Sequence, residues 1–398
     1  MTITLGCFDA NVDDVACQAY VKEIEQVTRL PLSQIANGLD KLTLQKYSPA
    51  VQPAMSIAAV QQVLKSIGFF PGGEVDGICG YRTQSAIRLF QEYVRSVEKA
   101  ADLVPDGQCG PVTLAHLQRW MNGNIKSEWT KIMESYSTSA QTEHNDWLAL
   151  LEKVKQQYLA NPSKMLQRVN AYPTATSTRK VAQWDFKTQA NVHLIGVRRA
   201  GFRGKFEDIF VLLLNGLVFK FQGSTDPGAT DDPSGFPFLV QGQHDYHFGW
   251  HKRTYLALRP QSEVLVIRSK ADQLTDADLN NPLEANGTIN VHWGGPGMAK
   301  DVTNWSEGCQ VINGTVYFNA SNDLINCSAF AAVTSTQPLT DPTKTRGAYN
   351  VLRDLVTTLA SDQSTGLQYM LLVESDLDLN PMLRQVLADA RNKVMALI

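Results

Sequence analysis

The 398-residue sequence predicts a multidomain α+β protein, with a helical first part, a helical connector and a mainly β second part that carries peripheral helices. Three observations predict it. A chain of this length exceeds what one core usually organises, so several domains are expected. Apolar residues recur at helical spacing up to about residue 171, whereas alternating and β-branched runs dominate from about residue 192. A short pattern, D-G-x-C-G-x-x-T, occurs at Asp76 and again at Asp106, which marks a repeated supersecondary unit.

Taken in order, residues 1–55 form an N-terminal helical region to which the sequence assigns no chemistry. From Ser56, an N-cap residue, Ala59, Val60, Val63, Leu64 and Ile67 share one helical face, and Gly68 ends the helix. Pro-Gly-Gly and Asp-Gly turns follow, then a second helix with Ala86, Ile87, Phe90 and Val94 on one face. The segment "VDGICGYRTQ" at Val75 is echoed by "PDGQCGPVTL" at Pro105, so residues 56–123 read as one small helical domain. Cys79 and Cys109 fall at equivalent loop positions; two buried thiols, or a bond in an oxidising compartment, fit that placement. Residues 124–180 read as polar helices ending near Pro162 and Pro173. Between residues 181 and 376, "VHLIGVRRAG", "DIFVLLLNGLVFKFQGS", "FPFLVQGQHDYHFG", "EVLVIRS", "TINVHWGG" and "QYMLLVES" read as strands, and "GAYNVLRDLVTTLAS" as a helix. Residues 377–398 contain a closing amphipathic helix.

The bulk numbers narrow the functional classes. A net charge of −3 with 19% charged residues gives no electrostatic footprint for nucleic acid or an anionic membrane. No apolar run is long enough to span a bilayer. The N-terminus lacks a basic stretch followed by an apolar core, so a protein made in the cytoplasm without a signal peptide is expected. Six cysteines with no C-x-x-C pair suggest neither a disulfide scaffold nor a zinc site.

Chemistry concentrates in "VTNWSEGCQVI". Cys309 follows Asn304, Trp305, Ser306, Glu307 and Gly308 at the mouth of a strand, where a thiol can be reached, and His292 precedes it by seventeen positions (292 to 309) beside Gly294 and Gly295. An imidazole near a thiol populates the thiolate by taking its proton. Gly308 suits close approach of an acyl group, with the Gly308 and Cys309 amides as oxyanion donors and Ser306 supporting the loop. Trp293 and Trp305 bracket the site, and both packing and stacking on a ligand fit them. The histidines of "HDYHFGWHK" (His244, His247 and His251) invite a metal reading, but a strand turns His244 and His247 to opposite faces and no H-E-x-x-H motif accompanies them.

Two resemblances follow from these motifs. Val60, Gln61, Leu64, Gly68, Val75, Asp76, Gly77, Gly80, Thr83, Ala86, Phe90 and Gln91 resemble the pattern of the small helical peptidoglycan-binding domain. His292, Gly294, Gly295, Ser306, Gly308 and Cys309 resemble the L,D-transpeptidase catalytic domain, in which a histidine precedes Ser/Thr-x-Gly-Cys. Two positions depart from that family: Glu307 stands in place of a histidine, and Val311 in place of an arginine. "GWHKRTYLAL" is similar to a stretch preceding the family's catalytic strand, which adds His251 and Tyr255, with Trp293, Gly294, Gly295, Asn304 and Trp305, as substrate-contact candidates. The resemblance implies a cysteine acyltransferase on peptidoglycan stem peptides, needing no metal or organic cofactor. What the resemblance implies is action as an L,D-transpeptidase, exchange of D-amino acids or L,D-carboxypeptidase action, in the periplasm or cell wall of a target cell. A wall-binding module joined to such a domain suggests an antibacterial effector delivered by a type VI-like apparatus, with a secretion-apparatus component and an immunity protein as partners. A phage lysis enzyme and a non-catalytic peptidoglycan-binding or structural protein are the alternatives.

Overall fold

In a computed structural model, the described residues are 2–13, 15–18, 45–48, 55–137, 139–186, 192–229, 232–252, 255–271, 273–330, 345–360 and 366–398. They divide into two units built from non-contiguous segments. The first comprises Met1–Tyr136, Gly249–Leu256 and Ile325–Thr365; the second comprises Ser137–Phe248, Ala257–Leu324 and Gly366–Ile398.

In the first unit, α1 (Ile57–Ser66) begins where the Ser56 hydroxyl accepts the Ala59 amide, as its sequence signal predicts. Gly68, at φ +88°, ends that helical stretch; a Cβ there would lie 2.1 Å from Thr130 Oγ1. α2 (Tyr81–Val97) and α3 (Pro111–Asn122) follow the two Asp-Gly turns, and α4 (Glu128–Ser135) comes next. Phe69, Phe90, Tyr93, Trp120 and Trp129 form the aromatic centre, mostly edge to face.

The repeat is exact at the level of hydrogen bonds. Gln61 Nε2 donates to Asp76 Oδ1, Ile78 O and Thr83 Oγ1, while its Oε1 accepts the Gly77 amide at 2.9 Å. Thirty positions on, Gln91 does the same with Asp106, Gln108 O, Thr113 and Gly107. Both glycines have positive φ, +74° and +76°, where a side chain would be strained.

The N-terminal residues, silent in sequence, tie the two copies together. β1 (Cys7–Phe8) pairs in parallel with β2 (Gln45–Lys46), Ile3 bridges Cys109, and Phe8 bridges Ile78. Asp9 caps α1 by accepting the Ile57 and Ala58 amides. Cys79 and Cys109 are buried free thiols. α7 (Ala348–Leu359) presents Asp354 to α2, where it receives Arg88 Nε at 2.5 Å and the Ser85 hydroxyl at 2.9 Å, all three residues being fully buried.

The second unit begins with α5 (Glu143–Ala160) and α6 (Lys164–Ala171). Its strands are β3 (Val192–Arg198), β4 (Asp208–Leu214), β5 (Leu217–Ser224), β6 (Phe236–Leu239), β7 (Gly242–His251), β8 (Tyr255–Pro260), β9 (Val264–Ser269), β10 (Leu283–Asn286), β11 (Val291–Trp293), β12 (Gln310–Phe318), β13 (Leu324–Asn326) and β14 (Gly366–Val373), the tips of some of them lying in the first unit. α8 (Pro381–Met395) closes the chain. The Asn215-Gly216 turn, both residues at positive φ, makes β4–β5 a tight hairpin.

The main sheet runs β11-β8-β7-β14-β3-β4-β5-β12-β13, and a parallel β11–β12 pairing closes its first eight strands into a barrel-like ring. A smaller sheet, β10-β9-β6, stands apart from that order. Ile195, Val197, Ile209, Val211, Met370 and Leu372 on one sheet face pack against Trp147, Leu150, Leu151 and Val154 of α5 and Leu383, Leu387 and Val394 of α8. One face of α5 is therefore core, polar as its sequence looks. The α+β multidomain architecture predicted from sequence is the one observed. Among the described residues, no helix is long and apolar enough to cross a membrane.

Candidate functional site

The parallel β11–β12 pairing builds the site. Val291 lies opposite Gln310 and His292 opposite Val311, so the ladder continued by one residue sets Asn290 beside Cys309. Pleat alternation then places Cys309, Val311, Asn290 and His292 on one face, with His292 one diagonal step from the cysteine. Sequence could order these residues along the chain; only strand pairing sets them side by side.

Of the six cysteines, Cys309 alone is not buried. Burial pushes the Cys79, Cys109 and Cys327 thiols up, which leaves them protonated and inert. The Asn290 amide donates toward Cys309 Sγ at 3.4 Å, and the thiol in turn donates to the Thr288 carbonyl at 3.4 Å. His292 is buried, its Nδ1 2.8 Å from the Trp293 carbonyl. A carbonyl only accepts, so that nitrogen carries the proton and Nε2 is the basic one.

Ser306 is bonded within the loop at three points. Its hydroxyl accepts the Gly308 amide at 3.0 Å and donates to the Cys309 carbonyl at 2.7 Å, and its own carbonyl accepts the Gly228 and Ala229 amides. One expectation is corrected here. The Gly308 N–H is engaged by Ser306, so it is not a donor waiting for an oxyanion. Glycine is required for packing instead, since a Cβ on Gly308 would lie 2.7 Å from Pro237 Cγ and 2.8 Å from Pro237 O.

The remaining candidates divide. Gly294 and Gly295 are close-approach positions: a Cβ on Gly294 would meet Val311 at 2.6 Å, and Gly295, at φ +110°, lies against the Trp305 ring. Trp293 is buried and packs edge to face with Trp305, 5.4 Å between centroids, while Trp305 is 36% exposed and Asn304 is exposed beside it. Packing thus accounts for Trp293, and Trp305 retains a surface for a ligand. His251 and Tyr255 belong to the first unit, where their rings lie 5.2 Å apart. His244 is a core residue: its ring nitrogens lie 3.0 Å from Thr178 Oγ1 and 3.0 Å from the Val240 carbonyl, and burial lowers its pKa to about 3. Among the described residues, no three His, Cys, Asp or Glu side chains gather where they could hold a metal ion.

Sequence reasoning missed Asn290, Thr288, Pro237 and the Gly228-Ala229 amides. Asn290 carried a usable signal, lying two positions before His292 in an alternating run; the others are contributed through backbone or shape, which sequence does not encode. Gln310, next to the cysteine, points to the opposite face and accepts the Tyr369 hydroxyl at 2.8 Å.

Residues 55–117 match the model of the putative peptidoglycan binding domain. That match covers α1, α2 and most of α3, and includes both glutamine-centred turns. The match supports peptidoglycan as a partner of this chain. No curated protein matches the sequence. Among solved structures, the chain is similar to a fused Zn-dependent amidase/peptidase/peptidoglycan-binding-domain protein from Clostridium acetobutylicum. The identity is 13% over 79% of this chain and 94% of that one, with a TM-score of 0.22. So low a score supports no statement about fold or chemistry.

Proposed function

We propose that the second unit is a cysteine acyltransferase acting on peptidoglycan stem peptides, brought to its substrate by the peptidoglycan-binding domain. The observation that carries this reading is the parallel β11–β12 pairing, which sets an accessible thiol and a tautomer-anchored imidazole on one face of adjacent strands. Cys309 Sγ gives its proton to His292 Nε2 and attacks the carbonyl of the residue before a terminal D-amino acid. As the peptide C–N bond breaks, the departing amine takes that proton, leaving a thioester on Cys309. An amine then resolves the thioester, giving a crosslink or an exchanged D-amino acid; with water the outcome is L,D-carboxypeptidase action. Trp305 offers an apolar face to the muropeptide beside the thiol. Delivery to a rival's wall by a type VI-like apparatus, with an immunity partner, belongs to the same reading and draws on the joining of a wall-binding module to this chemistry; a phage lysis role draws on the same joining.

The test is mass spectrometry of disaccharide tetrapeptides incubated with the protein and with Cys309→Ala, with and without free D-amino acids. Loss or exchange of the terminal residue, or a new dimer, absent in the variant, is expected. Unchanged muropeptides with both folded proteins would refute the enzyme and leave a binding protein.

A further inference from the structure

Three of the buried thiols are neighbours in the first unit: Cys7, Cys79 and Cys109. The Cys79 thiol, pushed up mainly by burial, is pushed up further by the Cys7 and Cys109 thiols beside it. Cys79 and Cys109 hold equivalent places in the two copies of the repeat, but the N-terminal segment gives them different ladder partners. Cys109 exchanges both backbone hydrogen bonds with Ile3, at 2.9 and 3.2 Å. Cys79 accepts the Gly6 amide at 2.9 Å and donates its own amide to the Cys7 carbonyl at 2.8 Å.

Two residues, Gly6 and Cys7, thus face one, Cys79. With Gly6 at φ +86°, this is the antiparallel bulge whose first residue is a left-handed glycine, and the bridge between Phe8 and Ile78 continues the same ladder. Residues opposed across such a ladder stand roughly 5.5 Å apart at Cα and about 4.5–5.5 Å apart at Cβ, on one face. A disulfide spans roughly 4.4–6.8 Å at Cα and about 3.5–4.5 Å at Cβ, so closing Cys7 onto Cys79 takes a movement of about 1 Å. Cys109 has Ile3, which carries no sulfur, in the corresponding place. In the folded protein burial keeps these thiols protonated and slow to react, so the bond forms while the chain folds, before the N-terminal segment packs.

We propose that Cys7 and Cys79 form a disulfide when the chain folds in the presence of a small-molecule disulfide, locking the N-terminal segment onto the first copy of the repeat. The Cys7 thiolate attacks one sulfur of glutathione disulfide and releases a glutathione thiolate, which takes up the proton Cys7 gave up. The Cys79 thiolate then attacks the Cys7 sulfur of the mixed disulfide and releases the second glutathione, which is protonated in the same way. Two protein thiols are oxidised, and one disulfide is reduced to two thiols. The bond spans 72 positions (79 − 7) and restricts the unfolded chain over that length. The inference is independent of any role for Cys309.

The test uses the full chain with Cys309→Ala, which removes the accessible thiol. One sample is unfolded in urea and refolded in a buffer of reduced and oxidised glutathione; a second is held in that buffer without urea. Remaining thiols are alkylated, and tryptic peptides are mapped by mass spectrometry without reduction. Cys7 and Cys17 share the peptide of residues 1–22, so Cys7→Ser and Cys17→Ser variants are mapped alongside. The refolded sample gives residues 1–22 linked to the peptide carrying Cys79; the link is lost in Cys7→Ser and kept in Cys17→Ser. The melting temperature of the linked protein's first unit lies roughly 5–15 °C above that of the same sample after reduction, and the difference vanishes in Cys7→Ser. A link that survives Cys7→Ser, a bond between Cys79 and Cys109, full alkylation of every thiol in both samples, or a linked protein that melts no higher than its reduced form overturns the proposal.

Discussion

Ser306→Ala tests whether the loop before Cys309 is held as described. Its buried hydroxyl makes two bonds at once, accepting from Gly308 and donating to the Cys309 carbonyl. Alanine leaves the Gly308 amide without its acceptor in a site closed by Pro237, at about 1–3 kcal/mol, and forfeits the second bond at about 0.5–1.5 kcal/mol. The sum, roughly 2–4 kcal/mol, corresponds to a fall in melting temperature of roughly 5–15 °C for a unit of this size. Because the Cys309 carbonyl loses its anchor, iodoacetamide alkylation of the thiol at neutral pH slows in the same variant. Asn304→Ala, at an exposed neighbouring position, is the control and shifts stability by less than about 0.5 kcal/mol. A Ser306→Ala protein that melts and alkylates like the parent would refute the hydrogen-bonded loop.

Two further outcomes concern the first unit. Glu92 is fully buried, neither carboxylate oxygen has a hydrogen-bond partner among the described residues, and burial, only partly offset by Arg95, raises its pKa to about 8. The folded state therefore holds a proton that the unfolded state releases near its ordinary pKa. This contribution to stability is complete below about pH 4.5, falls by up to about 1.4 kcal/mol per pH unit as pH rises toward 8, and levels off above it. Glu92→Gln removes that slope and is more stable than the parent at pH 7 in urea titrations; an unaltered pH profile would contradict it. Asp354→Asn leaves Arg88 and Arg353 buried without their shared carboxylate and costs about 3–5 kcal/mol by the same method, and a cost under 1 kcal/mol would show that the pair is solvated.

Much of the helical domain was legible because its determinants are local. The Ser56 cap, the Gly68 stop and the Asp-Gly turns act within a few residues, and the thirty-residue echo exposed a unit built twice. Even there, the role of Gln61 and Gln91 as hubs appeared only in the structure, since a glutamine on a helix carries no mark of the turn it will hold. In the second part, alternation and turn residues revealed the strands, and the order His292 before Cys309 with Ser306 and Gly308 marked the candidate site. Which strands pair, and in what register, is non-local: one residue of slip would turn Cys309 to the face of Gln310. Tertiary structure alone therefore decided that the Asn290 amide lies against the Cys309 sulfur, that the Gly308 amide is already engaged, and that His251 and Tyr255 fold with the first unit. Sequence determined the residue types and their local conformations, because propensity and capping act over a turn; their company depended on pairing between strands far apart in the chain.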